Sequence, residues 1–135
     1  MLARALIIGI AGGALNAWIA WSHFIPDPLA FHSVSLAMIA AIYLGFAFSD
    51  GRPSIVILEL SVGTVFIVLA LLGLWLAPMF IAAGLILHGF WDLAHRPSAV
   101  TTKLPRWYPP FCAAYDFVFA AVFLYFAREL AARAH

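Results

Sequence analysis

Five long apolar runs, separated by short clusters of proline, glycine and charge, make up nearly the whole chain. They cover residues of about 2–24, 29–48, 55–76, 79–95 and 111–130. Each approaches the ~20 residues that a helix needs to cross a ~30 Å hydrocarbon layer. The pattern predicts an all-α, polytopic membrane protein: a five-transmembrane-helix bundle with short loops, forming a single transmembrane domain over 1–135. The first run exceeds the ~7–15-residue apolar core of a secretory leader and lacks a small-x-small cleavage site, so it reads as a retained first helix.

The breaks carry helix-boundary chemistry. Asp27-Pro28 reads as a cap followed by proline at the first helical position. Ser49–Ser54 is a turn cluster in which Ser54 is placed to cap the third helix. Ala77-Pro78 makes a tight hairpin, and the longest connection, Pro97–Pro110, carries Trp107 and Tyr108, which suit a membrane interface. Within that loop, Leu104–Phe111 resembles the Pro-x-Trp-x-Pro-Pro turn of tryptophan-rich sensory (translocator) proteins, which are also small five-helix membrane proteins. There the turn follows the first helix; here it precedes the last, and the resemblance covers under a tenth of the chain. It assigns no family.

Stepping by three or four residues along each run gathers small and polar residues on one face. The stripes are Gly9, Gly13, Asn16, Ala20 and His23; Glu59, Gly63, Phe66, Ala70 and Gly73; Ile81, Gly84, His88, Asp92 and His95; and Cys112, Asp116, Ala120 and Phe123. Small residues let membrane helices approach closely, so these faces point inward. A second polar set, Asn16, His23, His32 and Ser35, falls toward the opposite membrane side. It reads as a hydrogen-bonded hairpin or an entry site.

Ionisable residues inside such runs are expensive, about 2.5–3.5 kcal/mol each on insertion scales, and mark function by default. Glu59 lies about five residues into its run, Asp92 about four from the end of its own, and Asp116 about six into the last. At ~1.5 Å per residue all three sit at one level. Three carboxylates cannot all stay ionised together in a low dielectric without protons or a cation. With two imidazoles beside them, a divalent metal (Zn, Fe or Mn) fits the donor set. Asp92-x-x-His95 shares the i, i+3 spacing of the carboxylate–histidine motif of di-iron bundles. The expected metal ligands are therefore Glu59, His88, Asp92, His95 and Asp116, with His88, Asp92 and Asp116 as catalytic residues. Each also has a plain structural use: a histidine bonding a neighbouring helix, or Asp92 pairing with Arg96. Tyr115 and Trp91 adjoin the acids as walls or proton donors, and Cys112 starts the last helix as a buried thiol.

Composition agrees with the pattern: 66% hydrophobic and 10% charged residues, with mean hydropathy +1.05. A net charge of +1 argues against nucleic acid as a partner, and one cysteine excludes an internal disulfide. Arg4, Arg52, Arg96, Lys103 and Arg106 fall on one side; Arg128 and Arg133 fall on the other. Positive residues prefer the cytoplasm, so the N-terminus is expected inside and the C-terminus outside a bacterial inner (plasma) membrane. The expected function is a membrane-embedded metal-dependent hydrolase or oxygenase acting on a lipid-soluble molecule such as a lipid, isoprenoid or carotenoid. The alternatives are a proton- or cation-coupled carrier and an accessory subunit. Expected partners are membrane lipids, a lipid-soluble small molecule, and either a second copy of the chain or a larger membrane complex.

Overall fold

The computed structural model describes residues 1–22, 24–95 and 101–133, with side chains as far as residue 128. Its described residues form five helices: α1 (Leu2–Ala20), α2 (Pro28–Asp50), α3 (Pro53–Trp75), α4 (Met79–Ala94) and α5 (Tyr108–Arg133). Four of them, all but α4, are long and apolar enough to cross a membrane. At 16 residues, α4 is about 24 Å long, short of a ~30 Å hydrocarbon layer. Large apolar side chains such as Ile7, Trp18, Met38, Ile57, Val65 and Phe90 stand exposed on the outer faces. So much exposed hydrocarbon does not suit water, and the apolar helices suggest a membrane location.

Helix ends follow local chemistry. Asp27 caps α2, its carboxylate accepting from the Ala30 N–H at 3.0 Å, with Pro28 at the first helical position. Gly51 closes α2 at φ 77, a left-handed conformation that glycine reaches without a Cβ clash. Ser54, expected to cap α3, lies inside that helix instead: Pro53, with its preset φ, starts α3 two residues earlier and Arg52 is the cap. Proline is equally tolerated in a first turn, so α5 starts at Tyr108 and takes Pro109 and Pro110 into its opening turn. The first helix ends at Ala20 rather than running to Phe24.

The helices pack in the order α1, α5, α4, α3, α2, and α2 also reaches back to α4. The tightest joint is α1 on α5. A Cβ on Gly9 would strike the Phe111 carbonyl oxygen, and one on Gly13 would lie 2.5 Å from the Tyr115 carbonyl oxygen. Only hydrogen fits at these two places. Leu36, Phe66, Ile81, Leu85, Phe119 and Phe123 fill the central core. Ser33 ties α2 to α3 through the Ala70 carbonyl at 2.8 Å.

One polar clamp joins two loops at the same end of the bundle. Arg52 donates from Nε and Nη2 to the Asp50 carboxylate at 2.5 and 2.8 Å, and from Nη2 to the Thr101 carbonyl at 3.1 Å. The Asp50 carboxylate further favours the protonated guanidinium. Asp50 also accepts from the Lys103 N–H at 2.9 Å. The start of the described α4–α5 connection is thereby held against the α2–α3 turn, which brings Thr102 over α3.

Candidate metal centre

The buried face of α4 carries His88 and Asp92 one turn apart, and the buried face of α5 carries Asp116. Because α4 and α5 pack along their lengths, the three side chains meet. His88 Nδ1 donates to Asp116 Oδ2 at 2.7 Å and lies 3.7 Å from Asp92 Oδ2. All three are 0% exposed. One donor atom from each lies within 4.8 Å of those from the other two, so this buried His88/Asp92/Asp116 group could hold a metal ion.

A fourth residue completes the group. Tyr43 on α2 donates its phenolic hydrogen to Asp92 Oδ1, which is the point where α2 reaches α4. The sequence reading passed over Tyr43. Its signal was present: His32, Leu36, Ala40, Tyr43 and Ala47 lie on the buried stripe of α2 at helical spacing, with the Tyr43 hydroxyl set among Leu36, Ala40 and Ala47.

The remaining two expected ligands stand together but apart from this trio. His95 Nε2 and Glu59 Oε1 are 2.7 Å apart, and Glu59 also accepts from Thr102 Oγ1 at 2.8 Å and Trp91 Nε1 at 3.2 Å. His95 Nδ1 donates to the Trp91 carbonyl at 2.8 Å. Each ring nitrogen therefore faces an acceptor. Neutral imidazole has one N–H, so the Glu59–His95 contact needs a proton carried by one partner or the other. The Tyr43 ring divides the two groups, with its centroid 5.4 Å from that of His88 and 4.6 Å from that of His95. The i, i+3 spacing of Asp92 and His95 fails to unite them because α4 stops at Ala94. His95 is the cap, at ψ 48, and its ring is turned back onto Trp91.

The two groups differ in satisfaction. Glu59 is fully engaged, whereas His88 Nε2, Asp92 Oδ2 and Asp116 Oδ1 are buried atoms with no hydrogen-bond partner among the described residues. Leaving a buried polar atom unpaired costs about 1–3 kcal/mol, more when charged. Two carboxylates beside one imidazole also leave net negative charge even when the ring is protonated. A cation between the two carboxylates would answer the charge and the unpaired Asp92 Oδ2 and Asp116 Oδ1, with His88 Nδ1 the imidazole nitrogen that faces them, and imidazole with two carboxylates is a donor set for Zn, Fe or Mn.

Asp92, itself fully buried, adjoins a cavity together with His95 and Thr102. The cavity measures about 900 Å³ and is bounded by the start of α1 and the α4–α5 connection. Trp91, expected as a wall or proton donor, serves Glu59. Tyr115 is turned away and accepts from Asn16 Nδ2 across the α1–α5 joint. Cys112 is buried against Tyr43 and Tyr108. At the far end of the bundle, His32 donates to the Pro28 carbonyl at 2.6 Å and stacks on Phe119. His23, Arg96 and the rest of 96–100, with Ala134 and His135, lie outside the described residues, as do the side chains of 129–133.

No curated protein matches this chain, and no solved structure matches it. Residues 3–129 match a family profile described as a family of unknown function. The chain, with its trio of His88, Asp92 and Asp116 inside an apolar helical bundle, belongs to the family DUF6010.

Proposed function

We propose that the chain is an integral membrane metalloprotein whose His88, Asp92 and Asp116 hold a divalent cation and act on a lipid-soluble substrate. In this reading all five helices cross a bacterial inner membrane, with the N-terminus and the α4–α5 connection on the cytoplasmic side. The observation that carries it is the buried convergence of one imidazole and two carboxylates, with Asp92 Oδ2 and Asp116 Oδ1 left without a hydrogen-bond partner among the described residues. Asp92 supports the substrate side of the reading, because it belongs to the trio and also lines the cavity.

The cation would supply Lewis-acid activation of water, or of oxygen if the metal is redox-active. The chain's own residues do the rest. Tyr43 holds Asp92 in one rotamer from α2, and His88 and Asp116 orient each other across the α4–α5 joint. The Glu59–His95 pair, braced by Thr102 and Trp91, is a proton-carrying contact beside the cavity. A site among helices with short connections favours a substrate that arrives from the bilayer, such as a lipid or isoprenoid, over a soluble metabolite.

Elemental analysis of the purified chain, produced with Zn, Fe and Mn supplied, tests the reading. Stoichiometric metal in the wild type, lost in Asp92→Asn and Asp116→Asn, is the expected result. Wild-type protein that stays metal-free under those conditions would overturn it. Proton flux through reconstituted vesicles without bound metal would favour the carrier reading instead.

A further inference from the structure

The walls of the cavity beside Asp92 join two chemistries that a single kind of ligand would satisfy. Leu2 and Leu6 of α1, Leu93 of α4 and Leu104 of the connection supply hydrocarbon. Lys103 and Arg106 stand exposed at its margin, and neither makes an ion pair among the described residues. Asp92 and His95, whose side chains are fully buried, border the same space beside Thr102. Apolar walls and a cationic margin, with the buried trio behind Asp92, match an amphiphile with an anionic head group.

We propose that this cavity binds a phosphate-bearing amphiphile, its head group between Lys103, Arg106 and the metal centre and its tail along Leu2, Leu6 and Leu104. The proposal names the substrate class of the centre described above and rests on that reading. Arg106 and Lys103 recognise phosphate by charge-assisted hydrogen bonds. The cation at Asp92 offsets the repulsion that the acidic floor alone would exert on an anion. Lipid is the source in preference to free phosphate, because four leucines and Pro105, Pro109 and Pro110 line the space, and inorganic phosphate has no use for an apolar wall. The position agrees with this choice: α4 ends at Ala94 and α5 begins at Tyr108, so the cavity lies at the end of the bundle where head groups would be.

Dodecyl phosphate is the probe, added to the full chain in phosphatidylcholine nanodiscs, with binding followed by calorimetry and metal measured on the same samples. Saturable binding is expected in the wild type, weakened roughly tenfold or more in Lys103→Gln/Arg106→Gln. Leu6→Trp, which fills the cavity but keeps both cations, should weaken it as well. Both variants should keep the wild-type metal content. Dodecanol and inorganic phosphate should compete poorly. If metal-loaded wild type takes up no more dodecyl phosphate than empty nanodiscs do, the inference fails while the metal centre stands. Equal competition by inorganic phosphate also overturns it. Wild type without metal sinks the parent reading, whereas saturable, charge-dependent binding in that protein supports the cavity alone.

Discussion

His88 of α4 and Asp116 of α5 meet at 2.7 Å with neither side chain reaching the surface. Removing one partner of such a pair strands the other as an uncompensated buried charge, which costs about 3–5 kcal/mol. His88→Ala should therefore unfold at markedly lower temperature or denaturant, read by thermal unfolding in detergent. Added imidazole, which can refill the space, should restore part of the loss. A wild-type melting curve for His88→Ala would mean that the pair carries little.

The Tyr43 hydroxyl has a narrower task. Tyr43→Phe keeps the ring between His88 and His95 but leaves Asp92 Oδ1 unpaired, at a cost of about 1–3 kcal/mol. Metal content should persist in this variant, because none of the three ligand side chains is altered. Loss of metal together with stability would make Tyr43 a positioning residue for the cation.

Glu59 and Asp116 separate the two acidic groups experimentally. Asp116→Asn should abolish stoichiometric metal, whereas Glu59→Gln should retain it and lose only the proton-carrying contact to His95. Elemental analysis of both proteins decides the matter. Metal lost equally from the two would show that Glu59 and His95 join the same centre after all.

Two kinds of glycine give a packing test. Gly13→Ala forces a methyl group against the Tyr115 backbone, and such overpacking costs about 1–3 kcal/mol. At Gly45 nothing lies within 4 Å of an added Cβ, so Gly45→Ala should be neutral or stabilising, by up to about 1 kcal/mol from helix propensity. Unfolding measurements on the pair check both directions, and Gly9→Ala should behave like Gly13→Ala.

Particular elements show what a sequence can and cannot reveal here. On α3, the stripe of Glu59, Gly63, Phe66, Ala70 and Gly73 read from spacing coincides with the residues that are buried, because an unbroken helix turns by a constant angle. The acids also proved to lie near one end of the bundle, since depth follows from rise per residue. Direction around the axis was less legible. Glu59 and Asp116 approach α4 from different neighbours, and which neighbour lies on which side depends on packing between distant segments. The pairing of His95 with Glu59 further depends on the turn at the end of α4, one residue past its last helical position. Tyr43 was hard to single out for a different reason: it shares the helical stripe of α2, but tyrosine is common in apolar helices and only the contact with Asp92 distinguishes it. Thr102 depends on the Asp50–Arg52 clamp, which ties together segments about fifty residues apart.

The brevity of α4 has a mechanical corollary. If a 16-residue helix must cross between longer neighbours, the lipid around its end has to thin, or head groups and water must dip to meet it. Asp92 sits in that last turn, so it would lie close to the level where the acyl layer ends. Mismatch of this kind also sorts proteins among bilayers of unequal thickness. The same shortfall that makes α4 the weakest span would then draw this protein toward thinner regions of membrane.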